Sequence, residues 1–271
     1  MYKKSNHKQV GNLSICSSRH FRISLTNSIL KAHAVCGRFT LQTSLNTLGE
    51  HFLFDIPADI TLMPKWNIAP THSIATLLWN QGKRCYGRMH WGLIPRWAKD
   101  NSMAVKMINA RSETIREKPS FREIFKKQRC LILADGYYEW KPDKSSKQPV
   151  YIHHRDHRPF AFAGLWDIWT PPDSQTDQPS WWTATIITTD ANEITSNWHH
   201  RMPVILSPDN YDRWLNPTNK DLDSLHQLLI APPEKNQMTD FEMTAVSTRV
   251  NRIINDDPDC IKPETTQREL F

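Results

Sequence analysis

Eighteen prolines against only eight glycines constrain this 271-residue chain more than any other feature. Each proline fixes φ and removes a backbone donor, which works against long helices and long unbroken strands. Eleven tryptophans supply bulky apolar anchors. The combination predicts an irregular, loop-rich, mixed fold of short elements rather than a helical bundle. No internal repeat and no long low-complexity tract occurs, which excludes a repeat array. No run of about 18 apolar residues is present, so no membrane-spanning helix is expected.

Charge is unevenly spread. Lys3, Lys4, Lys8, Arg19, Arg22 and Lys31 lie in residues 1–34 with no Asp or Glu, and account for the whole net charge of +6. Removing these six from the 34 basic residues leaves as many as the 28 acidic ones, so residues 35–271 are neutral overall. A nucleic-acid site must therefore come from where Arg and Lys cluster, not from their excess. The five cysteines, Cys16, Cys36, Cys85, Cys130 and Cys260, are odd in number and form no CxxC pair. No disulfide framework, metal site or cofactor is expected from them.

Local patterns predict strands over 36–41, 130–134, 137–141, 150–154, 160–166, 182–188 and 241–246. Short helices are expected over 44–52, capped by Ser44 or Thr43, and over 120–127, 190–197 and 222–230. The 190–197 helix should be capped by Asp or Thr, and Ser207-Pro208-Asp209 should start another. Residues 63–70 read as a proline-bounded loop. Residues 74–79 and 84–93 read as a hairpin around a four-residue turn, Asn80-Gln81-Gly82-Lys83.

Four clusters mix polar groups with aromatics and Gly or Pro: Cys36-Gly37-Arg38-Phe39; Trp91-Gly92-Leu93-Ile94-Pro95-Arg96-Trp97 with Asn109-Ala110-Arg111-Ser112-Glu113-Thr114; Asp135-Gly136-Tyr137-Tyr138-Glu139-Trp140; and His199-His200-Arg201-Met202-Pro203. Such mixtures build sites better than cores. Alone, each is weak: a Glu between aromatics is more often an edge-strand carboxylate, and a lone loop His is usually solvated. In order, with Asn67-Ile68-Ala69-Pro70-Thr71, Phe162-Ala163-Gly164-Leu165-Trp166, Val246-Ser247-Thr248-Arg249-Val250-Asn251 and Asn255-Asp256-Asp257, they resemble the SOS-response-associated peptidase family, also called abasic-site processing proteins. The resemblance runs from Cys36 to about Pro263. It implies a single α+β, β-rich domain over 35–265 with a mixed, barrel-like sheet core and short flanking helices. Residues 1–34 would be an extension and 266–271 a tail.

The resemblance also implies a chemistry. An abasic site exposes an aldehyde in its ring-opened sugar. An N-terminal Cys carries an amine and a thiol on adjacent carbons. The amine, with a reference pKa of about 7.7–8.0, forms a Schiff base, and the thiol, reference about 8.5, closes a thiazolidine ring. In that reading Cys36 is the nucleophile, Glu139 the acid/base, His199 a second proton handler and Asn109 a positioning group. Arg38, Arg111 and Arg201 are candidate phosphate clamps, each with an internal salt bridge as its alternative. Trp91, Pro95 and Trp97 are candidates to stack on or wedge beside bases, with core packing as the alternative, and Asn67 to touch the DNA backbone. The implied partner is single-stranded DNA containing abasic sites, met by a monomer in the cytoplasm, at the nucleoid when bound.

As written, Cys36 is internal and its nitrogen is an amide. A disordered tail and a transit peptide both fit residues 1–34, whereas a signal peptide lacks its apolar core. A third reading is preferred: a GUG codon at Val35 serves as the start, and removal of the initiator Met exposes Cys36. Thiol autopeptidase cleavage of the Val35–Cys36 bond would produce the same end, and the family also implies lyase activity. The competing function is a noncatalytic single-stranded nucleic-acid binder using Arg and Trp alone.

Overall fold

The computed structural model describes residues 36–140, 148–172, 179–230 and 240–264. Val35, the extension and the tail lie outside them. In chain order the elements are β1 (Phe39–Leu41), α1 (Leu45–Phe52), β2 (Lys65–Ile68), β3 (Ser73–Asn80), β4 (Lys83–Trp91), β5 (Asn109–Arg111), α2 (Arg122–Phe125), β6 (Arg129–Ala134), β7 (Gly136–Trp140), β8 (Pro149–His154), β9 (Phe160–Trp169), β10 (Trp181–Asp190), β11 (Arg201–Pro203), α3 (Tyr211–Leu215), α4 (Leu222–Ile230) and β12 (Phe241–Ala245). The chain is α+β and mostly strand, as the local patterns and the family resemblance imply.

The strands form two sheets. One runs β12-β8-β7-β1-β2 and the other β11-β10-β4-β3-β6-β9, with a further β10–β9 pairing. That pairing closes β10-β4-β3-β6-β9 into a ring. The inward faces of the strands share one apolar core, anchored by Phe39, Trp91, Tyr137, Phe162 and Trp214. α3 packs on this ring through Trp214, whose indole N–H donates to Cys130 O at 2.9 Å.

β10 is the seam of the ring. One of its edges pairs parallel with β4 at Thr183 and Ala184, and then with β5 at Ile186 to Thr188. Its other edge pairs antiparallel with β9 up to Ile186, and then with β11 at Thr188 to Asp190. One ten-residue strand thus carries two short, three-residue strands toward its C-terminal end.

Local chemistry explains several elements. Ser44 caps α1, its side chain accepting from the Thr47 N–H. This satisfies one of the donors orphaned in the first turn. Leu45, Leu48 and Phe52 place the apolar stripe of α1 against the core. The β3–β4 turn is shorter than expected, because Asn80 and Lys83 pair and only Gln81 and Gly82 bridge them. Both bridging residues have positive φ, 49° and 82°. That is the conformation that matches strand twist in a two-residue hairpin.

Other expectations are corrected. Within the expected 63–70 loop, Lys65–Ile68 is strand β2, pairing with β1. The expected 190–197 helix is a turn. Asp190 belongs to β10, and the cap is Asn192, whose Oδ1 accepts from Ile194 N and Thr195 N. Pairing with Arg201 holds residue 190 extended, and tertiary pairing overrides local propensity there.

Gly92 joins the ring to the loop that follows β4. Its N–H donates to Ala184 O at 2.9 Å, its φ is +132°, and an added Cβ would stand 2.5 Å from Ala104 O. Gly92→Ala should therefore cost about 2–4 kcal/mol through backbone strain and overlap. Urea unfolding reads this directly, and an unshifted midpoint would contradict the stated geometry.

Candidate active site

The site begins where β1 and β7 meet. Phe39 pairs with Tyr137 and Thr40 with Gly136. This register brings residue 36 alongside Glu139, and the Cys36 N–H donates to Glu139 Oε1 at 2.9 Å. Cys36 is fully buried and Glu139 is 4% exposed. Strand alternation puts Tyr137 on the same face of β7 as Glu139, while Tyr138 faces the other way. The Tyr137 hydroxyl is buried and has no hydrogen-bond partner.

Burial dominates the electrostatics. It pushes the Glu139 carboxyl up to about 8, and the Cys36 N–H that it accepts pulls the other way. Burial, and then the neighbouring Glu139 charge, push the Cys36 thiol well above its ordinary value. At neutral pH the thiol is therefore protonated, so the sulfur is not poised as a free thiolate.

Asp135 fixes the junction. Its buried carboxylate accepts from Gln42 N at 2.5 Å, Thr43 N at 2.9 Å and Thr43 Oγ1 at 2.6 Å. It ties the end of β1 to the start of β7. Gly136 lets the Tyr151 ring lie where a Cβ would be 2.4 Å away, and the Tyr151 and Thr40 hydroxyls then bond at 2.9 Å. The local sequence gives Asp135 no sign of this role. Its partners lie 92 and 93 residues away, and no local pattern marks them.

Asn109 and His199 are held by the frame around β10. Phe39 packs edge-on against Trp91 at 5.1 Å between centroids, and the Trp91 indole N–H donates to Ile108 O at 3.0 Å. Asn109 follows in β5, opposite Ile186. His199 lies half-buried in the turn before β11. It stacks on His200 at 4.4 Å, and its Nδ1 accepts from the Arg201 N–H at 2.9 Å. Cys36 and Glu139 are thus joined by a direct bond, while Asn109 sits in β5 and His199 in the turn before β11.

Four of the proposed DNA contacts are corrected. Arg201 is 6% exposed and already paired: Nη1 and Nη2 bind Glu113 at 2.7 and 2.9 Å, and Nη1 binds Asp190 at 2.7 Å. Nη2 also donates to Thr188 O at 2.7 Å. A guanidinium this buried and this fully engaged presents little surface to a phosphate. Trp91 is fully buried and is a core residue. Pro95 is buried too, whereas Trp97 is 58% exposed. Asn67 is fully buried; its Nδ2 donates to Val250, Arg252 and Asn255 carbonyls, and its Oδ1 accepts from Arg38 Nη1 at 2.8 Å. Asn67 therefore fixes the 250–255 segment and orients Arg38.

Arg38 is half-buried, and its Nη1 also donates to Val250 O at 2.9 Å. Arg111 is exposed, and among the described residues no carboxylate pairs with it. No group of three or more His, Cys, Asp or Glu side chains among the described residues is arranged to hold a metal ion. No helix among them is long and apolar enough to cross a membrane.

The comparisons agree with this architecture. The family model for SOS response associated peptidase (SRAP) matches residues 35–253, and the chain belongs to that family. The Bacillus subtilis protein named abasic site processing protein YoqW is 42% identical over 231 residues, covering 84% of this chain and 99% of that protein. The Gallus gallus protein named abasic site processing protein HMCES is 34% identical over 235 residues, covering 74% of this chain and 66% of that protein. A crystal structure of a Bacteroides thetaiotaomicron protein shares the fold with a TM-score of 0.73 at 26% identity, over 84% of this chain and 99% of that one.

The Glu139 carboxyl gives a stability signature. In the folded chain it holds its proton up to about 8, against an ordinary value of 4.5. Between those values the folded state binds more protons than the unfolded one, so stability falls as pH rises through that window. Glu139→Gln, which is neutral throughout, should flatten this fall. Melting temperatures across the window test it, and an equally steep decline in the variant would count against a buried, proton-retaining Glu139.

Proposed function

We propose that this protein captures abasic sites in single-stranded DNA covalently, with Cys36 as the first residue of the working chain. The observation that carries the reading is the 2.9 Å contact from the Cys36 nitrogen to a buried carboxyl oxygen of Glu139. With residue 35 absent, that nitrogen is an amine. It adds to the sugar's aldehyde carbon, water leaves, and the imine remains. The thiol then adds to the imine carbon and its proton passes to nitrogen, closing the thiazolidine. Glu139 handles the amine's protons, a role that suits a carboxyl raised to about 8. Asn109 positions the sugar and His199 serves its oxygen. The relatives named for abasic-site processing support this substrate.

The backbone favours removal of residue 35. Cys36 has a φ of 44°, in the left-handed region. A non-glycine residue held there costs on the order of 1–2 kcal/mol. φ is defined only while residue 35 is joined to Cys36, so this restriction on the backbone is lifted once Cys36 is N-terminal. Initiation at codon 35 or self-cleavage of the Val35–Cys36 bond would both relieve it. Cleavage needs Glu139 or His199 to activate a thiol that burial otherwise keeps protonated. The noncatalytic binder loses support, because Trp91 and Arg201, two of its contacts, are buried in the frame.

Incubation with a labelled single strand bearing one abasic site should give a heat-resistant adduct without borohydride. Cys36→Ser should abolish it, and intact mass should show a chain beginning at Cys36. An adduct formed by protein that still carries residue 35 in peptide linkage would end this reading. The DNA path gives a separate expectation. Arg111→Gln should weaken binding and lower the slope of log affinity against log salt by about 0.7, the loss of one phosphate contact. Its melting temperature should stay unchanged, whereas Arg201→Gln should lower the melting temperature sharply. An unchanged salt slope in Arg111→Gln would remove Arg111 from the DNA path.

A further inference from the structure

We propose that Arg96 takes a phosphate of the DNA strand, and that the buried carboxylate of Asp167 holds it in place for this beside the exposed indole of Trp97. The inference rests on the reading that the protein binds single-stranded DNA. Arg96 and Trp97 are the two central residues of a turn in which Ala98 N donates to Pro95 O at 2.8 Å. Pro95 and Ala98 are buried, whereas Arg96 and Trp97 are exposed. Both ends of the turn are tied to β9. The Arg96 N–H donates to Asp167 Oδ2 at 2.9 Å, and the Trp169 indole N–H donates to Ala98 O at 2.8 Å. The tip is therefore fastened to the ring itself.

The guanidinium is engaged on one side only. Nε and Nη2 donate to Asp167 Oδ1 at 3.1 and 2.7 Å, and Nη2 also donates to Gln128 Oε1 at 2.5 Å. Nη1 has no partner among the described residues, and the side chain is 57% exposed. Asp167 is buried and accepts further from Gln128 Nε2 at 3.2 Å and Ile168 N at 2.9 Å. Its charge is met by donors beneath the surface, while the two N–H groups of Nη1 are left for a ligand. Arg201 is the opposite case, with both terminal nitrogens engaged inside the protein.

The surroundings fit a nucleotide strand. Trp97 is the only exposed tryptophan among the described residues. Residues 95–106 carry Arg96, Lys99 and Lys106 against one acid, Asp100, whose carboxylate accepts from Ser102 N. Cations interleaved with an exposed aromatic suit a polyanion whose bases stack. The guanidinium supplies donors matched to phosphate oxygens. A loose arginine loses rotamer freedom when it binds, and Asp167 and Gln128 have already removed that freedom here. Arg96 is thus the contact and Asp167 the positioning residue.

Equilibrium binding of full-length Cys36→Ser protein to a labelled abasic single strand, measured against salt, tests this without covalent capture. Adding Arg96→Gln should weaken binding about fourfold at physiological salt and lower the slope of log affinity against log salt by about 0.7. Asp167→Asn keeps the Arg96 charge but loosens its hold, so binding should weaken with the slope unchanged. Arg96→Gln strands a buried carboxylate, so Arg96→Gln with Asp167→Asn, which removes the pair together, is measured beside it and should show the same lowered slope. An unlowered slope in both Arg96 variants would make Arg96 an anchor of the turn alone and overturn the proposal, as would Asp167→Asn protein that binds as tightly as its parent. A parent that binds no strand overturns the proposed function along with this contact. Failure of covalent capture alone looks different, as an adduct that survives Cys36→Ser, and leaves the Arg96 contact standing.

Discussion

The architecture depends on how β10 divides its two edges. A strand offers one row of donors and acceptors on each side, and a long strand can serve more than one partner on each. Along one edge β10 passes from β4 to β5, and along the other from β9 to β11. The first half of β10 closes the ring that holds the core. The second half holds two three-residue strands too short to persist alone, and these carry Asn109, Arg111 and Arg201. A slip of one residue between β10 and β5 or β11 would put every side chain of the slipped strand on the opposite face. The ring and the positions of Asn109, Arg111 and Arg201 are thus fixed by the same register.

Short strands need further fastening, and buried polar side chains provide it. Arg201 bridges β11, β10 and the Glu113 turn after β5. Asp135 joins the end of β1 to β7. Asn67 draws β2 to the segment after β12, where Asp256 in turn accepts from Trp66 N and Asn67 N. Each of these groups is nearly dry and nearly saturated with partners, the condition under which a buried polar network fixes one arrangement. Their abundance follows from the proline content. A chain cut into short pieces cannot bury all its peptide groups in long ladders, so side chains complete the accounting.

This division explains what was legible in the sequence. The β3–β4 hairpin, α1 with its Ser44 cap and α4 were readable because their signals are local: alternation, a capping residue, an i, i+4 stripe. Strands β2, β5 and β11 were not, since three or four residues show no period and they exist only through their partners. The roles of the motif residues divide in the same way. The resemblance gives Cys36 and Glu139 complementary roles, and only the structure shows the bond that joins them. Arg201 and Asn67 were read as DNA contacts because a guanidinium or a carboxamide in a motif looks the same whether it faces phosphate or a buried carboxylate. Only their three-dimensional partners, as much as 188 residues away for Asn67, decide between the two.

Burial also orders the chemistry proposed for Cys36. A thiol raised well above its ordinary value is a poor nucleophile and a poor target for oxidants, since both reactions use the thiolate. The sulfur would stay inert while no aldehyde is present. Once the amine has formed an imine, the same sulfur lies three bonds from the imine nitrogen, and its attack is intramolecular. Effective concentrations in such a geometry exceed any attainable in solution, so even a small thiolate fraction suffices. The amine must act first, and the sulfur follows only when the electrophile has been tethered beside it. A site that burial makes unreactive toward general oxidants is for that reason selective for a carbonyl that can first engage the neighbouring nitrogen.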